Sequence, residues 1–418
     1  MKFMYYKSVT GLSDDSIRQA LAESLEGKQL RNVLILPPDF TRMYSGAGKI
    51  TAIYYDMLTK EFGAEVDVMP ALGTHVPMTE QECETFFEGV VPFEKLIVHK
   101  WREDVVKIGE VPAEFVSEVS EGLVNEKIDV EVNKRIVSGS YDLILSIGQV
   151  VPHEVVGMAN YSKNIFVGCG GSSMINSSHM LGAFYGMERI MGKDFSPVRR
   201  VFDYAEEHFL ADVPLMYILT CTTNTGDRTN IHGMYIGRER KNFEMAVEQS
   251  QQINLIHVTE PFKKVVVYLD PREFKSTWLG NKSVYRTRMA IADGGELIVL
   301  APAVAHFGED TENDRLIRKY GYCGRENILK LVENPDLKAN LSVAAHLIHG
   351  SSDGRFSITY CTKLLTEDEV RGVGFNYIPY DEAAAKYDPA VLKDGWNTVD
   401  GEEIFYISNP ALGLWTRE

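Results

Sequence analysis

Short apolar runs separated by helix-length amphipathic stretches recur along this chain. Residues 31–36 read RNVLIL, a buried strand, and the PPDFTRMYSGAG that follows reads as a loop. Residues 49–62 carry helical spacing that stops at Gly63. A second strand runs through Asp67-Val68-Met69-Pro70-Ala71-Leu72. Residues 78–87 read as a helix with Thr79 as N-cap and Glu82 as its capping-box partner. Residues 96–99, 128–132 and 143–147 are further strands, and 178–190 is a helix. The second half continues the alternation with strand 264–269, helix 282–292, a Gly294-Gly295 turn, strand 296–301 and a long helix over 314–332. Such a pattern predicts an α/β fold of two domains, each with a mostly parallel sheet flanked by helices. The fresh β-α-β after Glu260-Pro261 sets the expected domains at 1–262 and 263–418, with the active site in the cleft between them.

Composition narrows the classes. At 418 residues the chain exceeds one ordinary core, which agrees with two domains. Its formal charge of −16 argues against nucleic acid or an anionic membrane as partner, because both repel an acidic surface. No apolar run approaches the roughly 18–20 residues of a membrane span. The opening MKFMYYKSVTGLSDDS has no signal-peptide pattern. Cys83, Cys169, Cys221, Cys323 and Cys361 are scattered and form no CxxC pair, so they read as reduced thiols of a cytoplasmic protein.

The chemistry-bearing residues follow the strands. Pro38-Asp39-Phe40-Thr41-Arg42 comes after the first strand, where α/β folds bind anions. Arg42 can grip a carboxylate or phosphate, with Asp39 orienting it; the alternative is a helix-capping Asp beside a surface Arg. GxGxxG is absent, because Gly46-Ala47-Gly48 is too short. The segment from Lys163 through Gly168 to Gly171 (KNIFVGCGG) lacks P-loop spacing, yet its backbone N–H groups could wrap a phosphate. His99, His208, His232 and His257 read as structural. His75, His153 and His179 sit in loops after strands or at a helix start, among glycines. With no HExxH or HxH spacing, a zinc site built from protein ligands alone is not expected. His306, His346 and His349 carry no assigned role.

Taken together, PDxTR (Asp39, Thr41, Arg42), GTHxPMT (His75), PH (His153), then Lys163 and His179 resemble the lactate racemase family, and the likeness extends over most of the chain. The resemblance implies a nickel-pincer nucleotide, a pyridinium mononucleotide whose two thio groups grip nickel. It maps the covalent thioamide anchor to Lys163, the nickel ligand to His179 and the acid/base pair to His75 and His153. Arg42 would face the substrate, Asp39, Thr41 and Gly168 would line the cofactor, and Lys282 with Trp278 would contact the substrate from the second domain. Partners implied are a small 2-hydroxyacid and the proteins that make the cofactor; self-association into a homo-oligomer is left open.

Inverting a carbon next to a hydroxyl is easier by hydride transfer through a ketone than by deprotonation, and two bases on different sides suit two enantiomers. The chain departs from the family where Tyr161-Ser162 stand in place of a glycine pair, a change expected to crowd or re-bond the cofactor region. Ala211-Asp212-Val213-Pro214 stands where the family has a Gly-Asn-Pro loop, and Leu279 replaces a glutamine. These changes point to an acid other than lactate. A non-catalytic nucleotide- or anion-binding relative, and a nicotinamide-dependent hydroxyacid dehydrogenase, are the competing readings.

Overall fold

The computed structural model describes residues 3–226 and 228–417, and the chain divides into two compact units between Asn254 and Leu255. The first unit contains β1 (Met4–Lys7), α1 (Asp14–Leu25), β2 (Asn32–Leu36), α2 (Ala47–Lys60), β3 (Glu65–Val68) and α3 (Glu80–Phe86). There follow β4 (Val105–Val111), α4 (Ala113–Val119), β5 (Ile128–Asn133), β6 (Leu143–Gln149), β7 (Pro152–His153) and β8 (Gly157–Met158). The unit ends with α5 (Ser172–Tyr185), α6 (Met187–Ile190), α7 (Pro197–Phe209), β9 (Leu215–Thr225), β10 (Arg228–Gly237) and α8 (Arg240–Asn254).

Its main sheet has the order β1-β10-β9-β6-β2-β3. β3, β2, β6 and β9 run parallel, whereas β10 and β1 are antiparallel additions. β6 is buried along its whole length, as a central parallel strand must be when helices cover both faces. Alternate residues of β2 feed two different cores: Leu34 and Leu36 pack with Ile175, Phe202 and Phe243, and Val33 and Ile35 pack with Ile17, Ile50 and Tyr54. The period of two along a strand produces this division, so α5, α7 and α8 cover one face and α1 and α2 the other. β4 and β5 form a separate antiparallel ribbon.

The expected strands at 31–36, 128–132 and 143–147 are present, as are the α3 helix and its capping box between Thr79 and Glu82. The second strand stops at Val68 rather than Leu72, because Pro70 has no N–H to continue a ladder. Residues 96–99 form no strand; a 3-10 turn at Phe93–Lys95 leads to a single bridge between Val68 and Leu96. The helix expected at 178–190 begins at Ser172 and is interrupted at Gly186 before α6.

The second unit comprises β11 (Leu255–Val258), β12 (Phe262–Tyr268), α9 (Thr277–Gly280), α10 (Lys282–Thr287), β13 (Ile291–Ala301), α11 (Thr311–Tyr320), α12 (Arg325–Leu331), α13 (Pro335–Lys338) and α14 (Leu341–His349). It closes with β14 (Ser357–Thr362), α15 (Glu367–Gly372), β15 (Asn376–Pro379), α16 (Tyr380–Lys386), β16 (Gly395–Val399), β17 (Glu402–Ile407) and β18 (Leu414–Arg417). Its sheet runs β15-β14-β13-β12-β17-β16, parallel except for β16. β11 pairs with β18, which explains why the break precedes Leu255 instead of falling at 262/263. The helix expected at 282–292 ends at Thr287, since Ile291 already pairs with Phe262. Gly294-Gly295 lies inside β13 as a bulge between the Phe262–Ile291 and Lys264–Glu296 pairs. The long helix at 314–332 is two helices, α11 and α12, with Gly321 and Gly324 between them.

α2 packs close to the end of α3 through Gly48, where a Cβ would lie 1.9 Å from the Phe86 carbonyl oxygen. Gly48→Ala should therefore force backbone apart and destabilise the first unit by about 1–3 kcal/mol. The expected reading is a lower denaturant midpoint than wild type, with Val9→Ala, at an exposed position, as an unaffected control.

Candidate active site

Three loops leave the carboxyl ends of β2, β3 and β6, the end at which parallel sheets hold their ligands. The first carries Asp39. Its Oδ1 accepts the Thr41 N–H at 2.9 Å and the Thr41 hydroxyl, capping the 3-10 turn Phe40–Ser45. Its Oδ2 lies 2.6 Å from Nδ1 of His75 on the second loop. One oxygen of this buried carboxylate thus carries the capping role, while the other holds His75 where Arg42 had been the expected partner. Burial pulls its pKa up, but the His75 charge and hydrogen bond, Thr41 and the Arg42 charge outweigh burial and leave it below the ordinary value. Asp39 is an acceptor, so His75 donates through Nδ1. Arg42 is half-buried, and its Nη1 is fully buried with no hydrogen-bond partner among the described residues.

Lys163 leaves a tight turn after β8. Asn160 and Tyr161 both adopt left-handed backbone, with φ of 63° and 56°, which L-residues with side chains rarely take up. The Asn160 carboxamide accepts the Tyr161 N–H at 2.7 Å. It also lies over Gly148 of β6, where a Cβ would stand 1.8 Å from Asn160 Nδ2. Tyr161 does not crowd the lysine, as its place in the sequence had suggested. Its ring packs between Tyr217 and Phe243, with centroids at 4.4 and 5.1 Å, and its hydroxyl donates to the Arg238 carbonyl. Ser162 receives a bond from Arg199 Nη1 at 2.7 Å. On the other side, Asn164 Nδ2 donates to the Leu36 carbonyl and to Ser146 Oγ. Lys163 itself is half-buried. Desolvation, aided by the Arg42 and Arg199 charges and opposed by Glu154 and Asp39, lowers its pKa to about 8, so a useful fraction is neutral amine near pH 7.

The segment after Lys163 is no open phosphate nest. Asn164–Gly168 forms one π-helical turn. The N–H groups of Cys169, Gly170 and Gly171 are taken by carbonyls of Asn164, Val167 and Glu131. Gly168 joins two loops: its carbonyl accepts the Gly73 N–H at 2.8 Å, and a Cβ there would meet Ala71 at 2.6 Å. Glu131 of β5 accepts the Ser173 N–H at the start of α5.

His179 is therefore in the interior of α5 rather than at a helix start. Its Nδ1 donates to the Ile175 carbonyl one turn back, at 2.7 Å, which fixes the ring and leaves the Nε2 lone pair free for a metal. Desolvation first, then the Lys163 charge, lowers its pKa to about 4, so it is neutral at physiological pH. His153 is buried on the β7–β8 hairpin; its Nδ1 accepts the Val155 N–H at 3.1 Å, with Glu154 Oε2 at 3.6 Å. The mutual influence of Lys163, His179, Arg42, Glu154, His75 and Asp39 on one another's protonation marks one electrostatic neighbourhood in the first unit. Among the described residues, no group of three or more His, Cys, Asp or Glu could hold a metal unaided. No helix is long and apolar enough to cross a membrane, and all five cysteines are free.

The remaining candidates belong to the second unit. Lys282 is buried with its Nζ 2.8 Å from Glu273 Oε1. Trp278 stacks on His346 at 4.3 Å, and His346 lies between the hydroxyls of Tyr285 and Tyr322. Of the histidines read as structural, His99 is buried, held by Asn133 and the Gly170 carbonyl, and burial lowers its pKa. The sequence did not single out Asn160, Glu154 or Arg199; Arg199 in particular reaches the Lys163 turn from α7, and no local spacing signals such a contact.

Residues 12–190 match the family described as the lactate racemase N-terminal domain. A lactate racemase of Thermoanaerobacterium thermosaccharolyticum is 24% identical over 315 residues, covering 71% of this chain and 67% of that protein. Among solved structures, a protein from Thermotoga maritima superposes with a TM-score of 0.86 at 23% identity, over 99% of this chain and 100% of the other. The lactate racemase apoprotein of T. thermosaccharolyticum superposes with a TM-score of 0.66 at 17% identity, over 97% and 93% of the two chains. At these identities the superpositions speak for the fold alone. The span that matches the racemase domain includes Asp39, Arg42, His75, His153, Lys163 and His179, and through it the chain is identified as a relative of the lactate racemases.

Proposed function

We propose that this chain is a 2-hydroxyacid racemase or epimerase of the lactate racemase type. The observation that carries the reading is the pairing, in one neighbourhood, of a lysine held partly as free amine with a neutral histidine whose Nε2 is left open. A nickel-pincer nucleotide fits these residues. Lys163 would carry it as a thioamide and His179 would bind its nickel, while Arg42, with a buried unpaired Nη1, would meet an anionic oxygen. When bound, the nucleotide supplies a reversible two-electron acceptor for the hydrogen on C2.

The protein's own residues then handle the proton and the carboxylate. His75 accepts the substrate hydroxyl proton at Nε2, and Asp39 stabilises the imidazolium through Nδ1–H. His153, whose Nδ1 accepts the Val155 N–H, presents Nε2–H as a donor to the same oxygen. To serve as base for the opposite enantiomer, His153 must carry its proton on Nδ1 instead, where Glu154 is the nearest carboxylate. Arg42 aligns the substrate carboxylate by a bidentate contact. Lys282 is proposed to assist in carboxylate recognition and Trp278 to contact the substrate. The substrate side chain is proposed to differ from the methyl group of lactate.

Production alongside the enzymes that make the cofactor, followed by intact-mass and nickel measurement, tests the anchor. Lys163→Ala should lose the mass increment, and an unchanged increment refutes the assignment. His179→Ala should keep much of the organic adduct but lose nickel.

Loaded protein offered lactate, malate, 2-hydroxybutyrate, phenyllactate and sugar acids should invert at least one of them, as read by chiral separation. If none is inverted with cofactor and nickel both present, the racemase reading fails. His75→Ala and His153→Ala should each slow inversion in both directions by roughly 10²–10⁴-fold, the usual cost of losing a positioned acid or base. Asp39→Asn should slow inversion while leaving adduct and nickel in place.

A further inference from the structure

Arg199 of α7 is buried at 1% exposure, yet its two terminal nitrogens donate to neutral oxygens rather than to a carboxylate. Its guanidinium reaches into the turn before Lys163. Nη2 donates to the carbonyls of Met158 at 2.8 Å and Asn160 at 3.2 Å, and Nη1 donates to Ser162 Oγ at 2.7 Å. Three alternate residues of the turn are thus tied to one rigid planar group. Its other face lies over Phe243 at 4.4 Å, the same ring on which Tyr161 stacks. The turn needs such a tie, because two consecutive non-glycine residues in left-handed backbone cost on the order of 1–3 kcal/mol each unless their surroundings impose the conformation.

We propose that Arg199 is the positioning residue for Lys163: it fixes the strained 158–162 turn so that the lysine amine emerges toward the acylating group. This rests on Lys163 being the attachment point, although the arrangement concerns the lysine whatever acylates it. Burying a permanent cation here also serves the chemistry. Thioamide formation requires the unprotonated amine, and the charges bearing on Lys163 are Arg42 and Arg199 on one side and Glu154 and Asp39 on the other, with His179 neutral nearby. Removing Arg199 both frees the turn and takes away a charge that disfavours the ammonium form, and both effects raise the Lys163 pKa.

The test uses the full-length apoprotein, so it does not depend on the cofactor. Brief trace labelling with acetic anhydride from neutral to alkaline pH, read by mass spectrometry of the Lys163 peptide, gives the titration midpoint of that amine. Exposed Lys60 in the same sample serves as reference. Wild type should titrate at about 8. In Arg199→Met the midpoint should move up, leaving less free amine at neutral pH than in wild type. Arg199→Lys, which keeps the charge and one tether, should hold the midpoint close to the wild-type value. An unchanged denaturant midpoint separates this local effect from general destabilisation, which would also expose the lysine and raise its titration midpoint. A folded Arg199→Met protein whose Lys163 titrates as in wild type overturns the proposal. If Arg199→Met does not fold, Ser162→Ala, which removes one tether from the turn, should raise the midpoint by a smaller amount, and no shift there overturns it equally. A normal midpoint shift combined with no cofactor adduct on wild-type Lys163 would instead refute the attachment assignment alone.

Discussion

The first unit's chemistry depends on one buried carboxylate. Asp39 stands just past β2 and divides its two oxygens between the 3-10 turn that carries Arg42 and the ring of His75. A neutral group at this position could not both cap the turn and hold an imidazole that takes up protons. Leaving either partner unsatisfied in a buried setting costs about 1–3 kcal/mol. That penalty links the placement of Arg42 to the orientation of the His75 ring.

Around that carboxylate the neighbourhood keeps its basic groups from being fully charged. Desolvation does most of the work for both Lys163 and His179. Each then lies in the field of other cations, so a proton on any one of them disfavours a proton on the next. The members of this neighbourhood come from the loops beyond β2 and β3, the turn after β8 and the interior of α5.

Features written locally were legible in the sequence. β2, β6 and β12 announce themselves as near-continuous apolar runs, and the Thr79–Glu82 capping box is complete within four residues. Asp39 and His75 drew attention because they follow buried strands, whereas Lys163 and His179 were singled out by the resemblance to the racemase family. What escaped notice is held by distant partners. The true start of α5 is set by Glu131, far back in the chain, while its own first turn is rich in serine. The left-handed pair Asn160-Tyr161 looks like an unfavourable substitution until Gly148, Phe243 and Arg199 are placed around it. The mostly parallel sheet expected from the alternation is present, and β10 and β1 add antiparallel strands at one edge.

β1 completes that mixed sheet by pairing Met4–Lys7 with Gly233–Ile236. During synthesis this strand emerges about 230 residues before the segment that will pair with it. At typical synthesis rates the wait is on the order of ten to fifty seconds. Throughout that interval an unpaired strand could recruit the wrong edge of a neighbouring nascent chain. Its composition restrains this: the strand is only four residues long, alternates half-buried with exposed positions and ends on Lys7. The strand is thus made well before it can be paired, and its short, charged edge suits it to waiting in solvent.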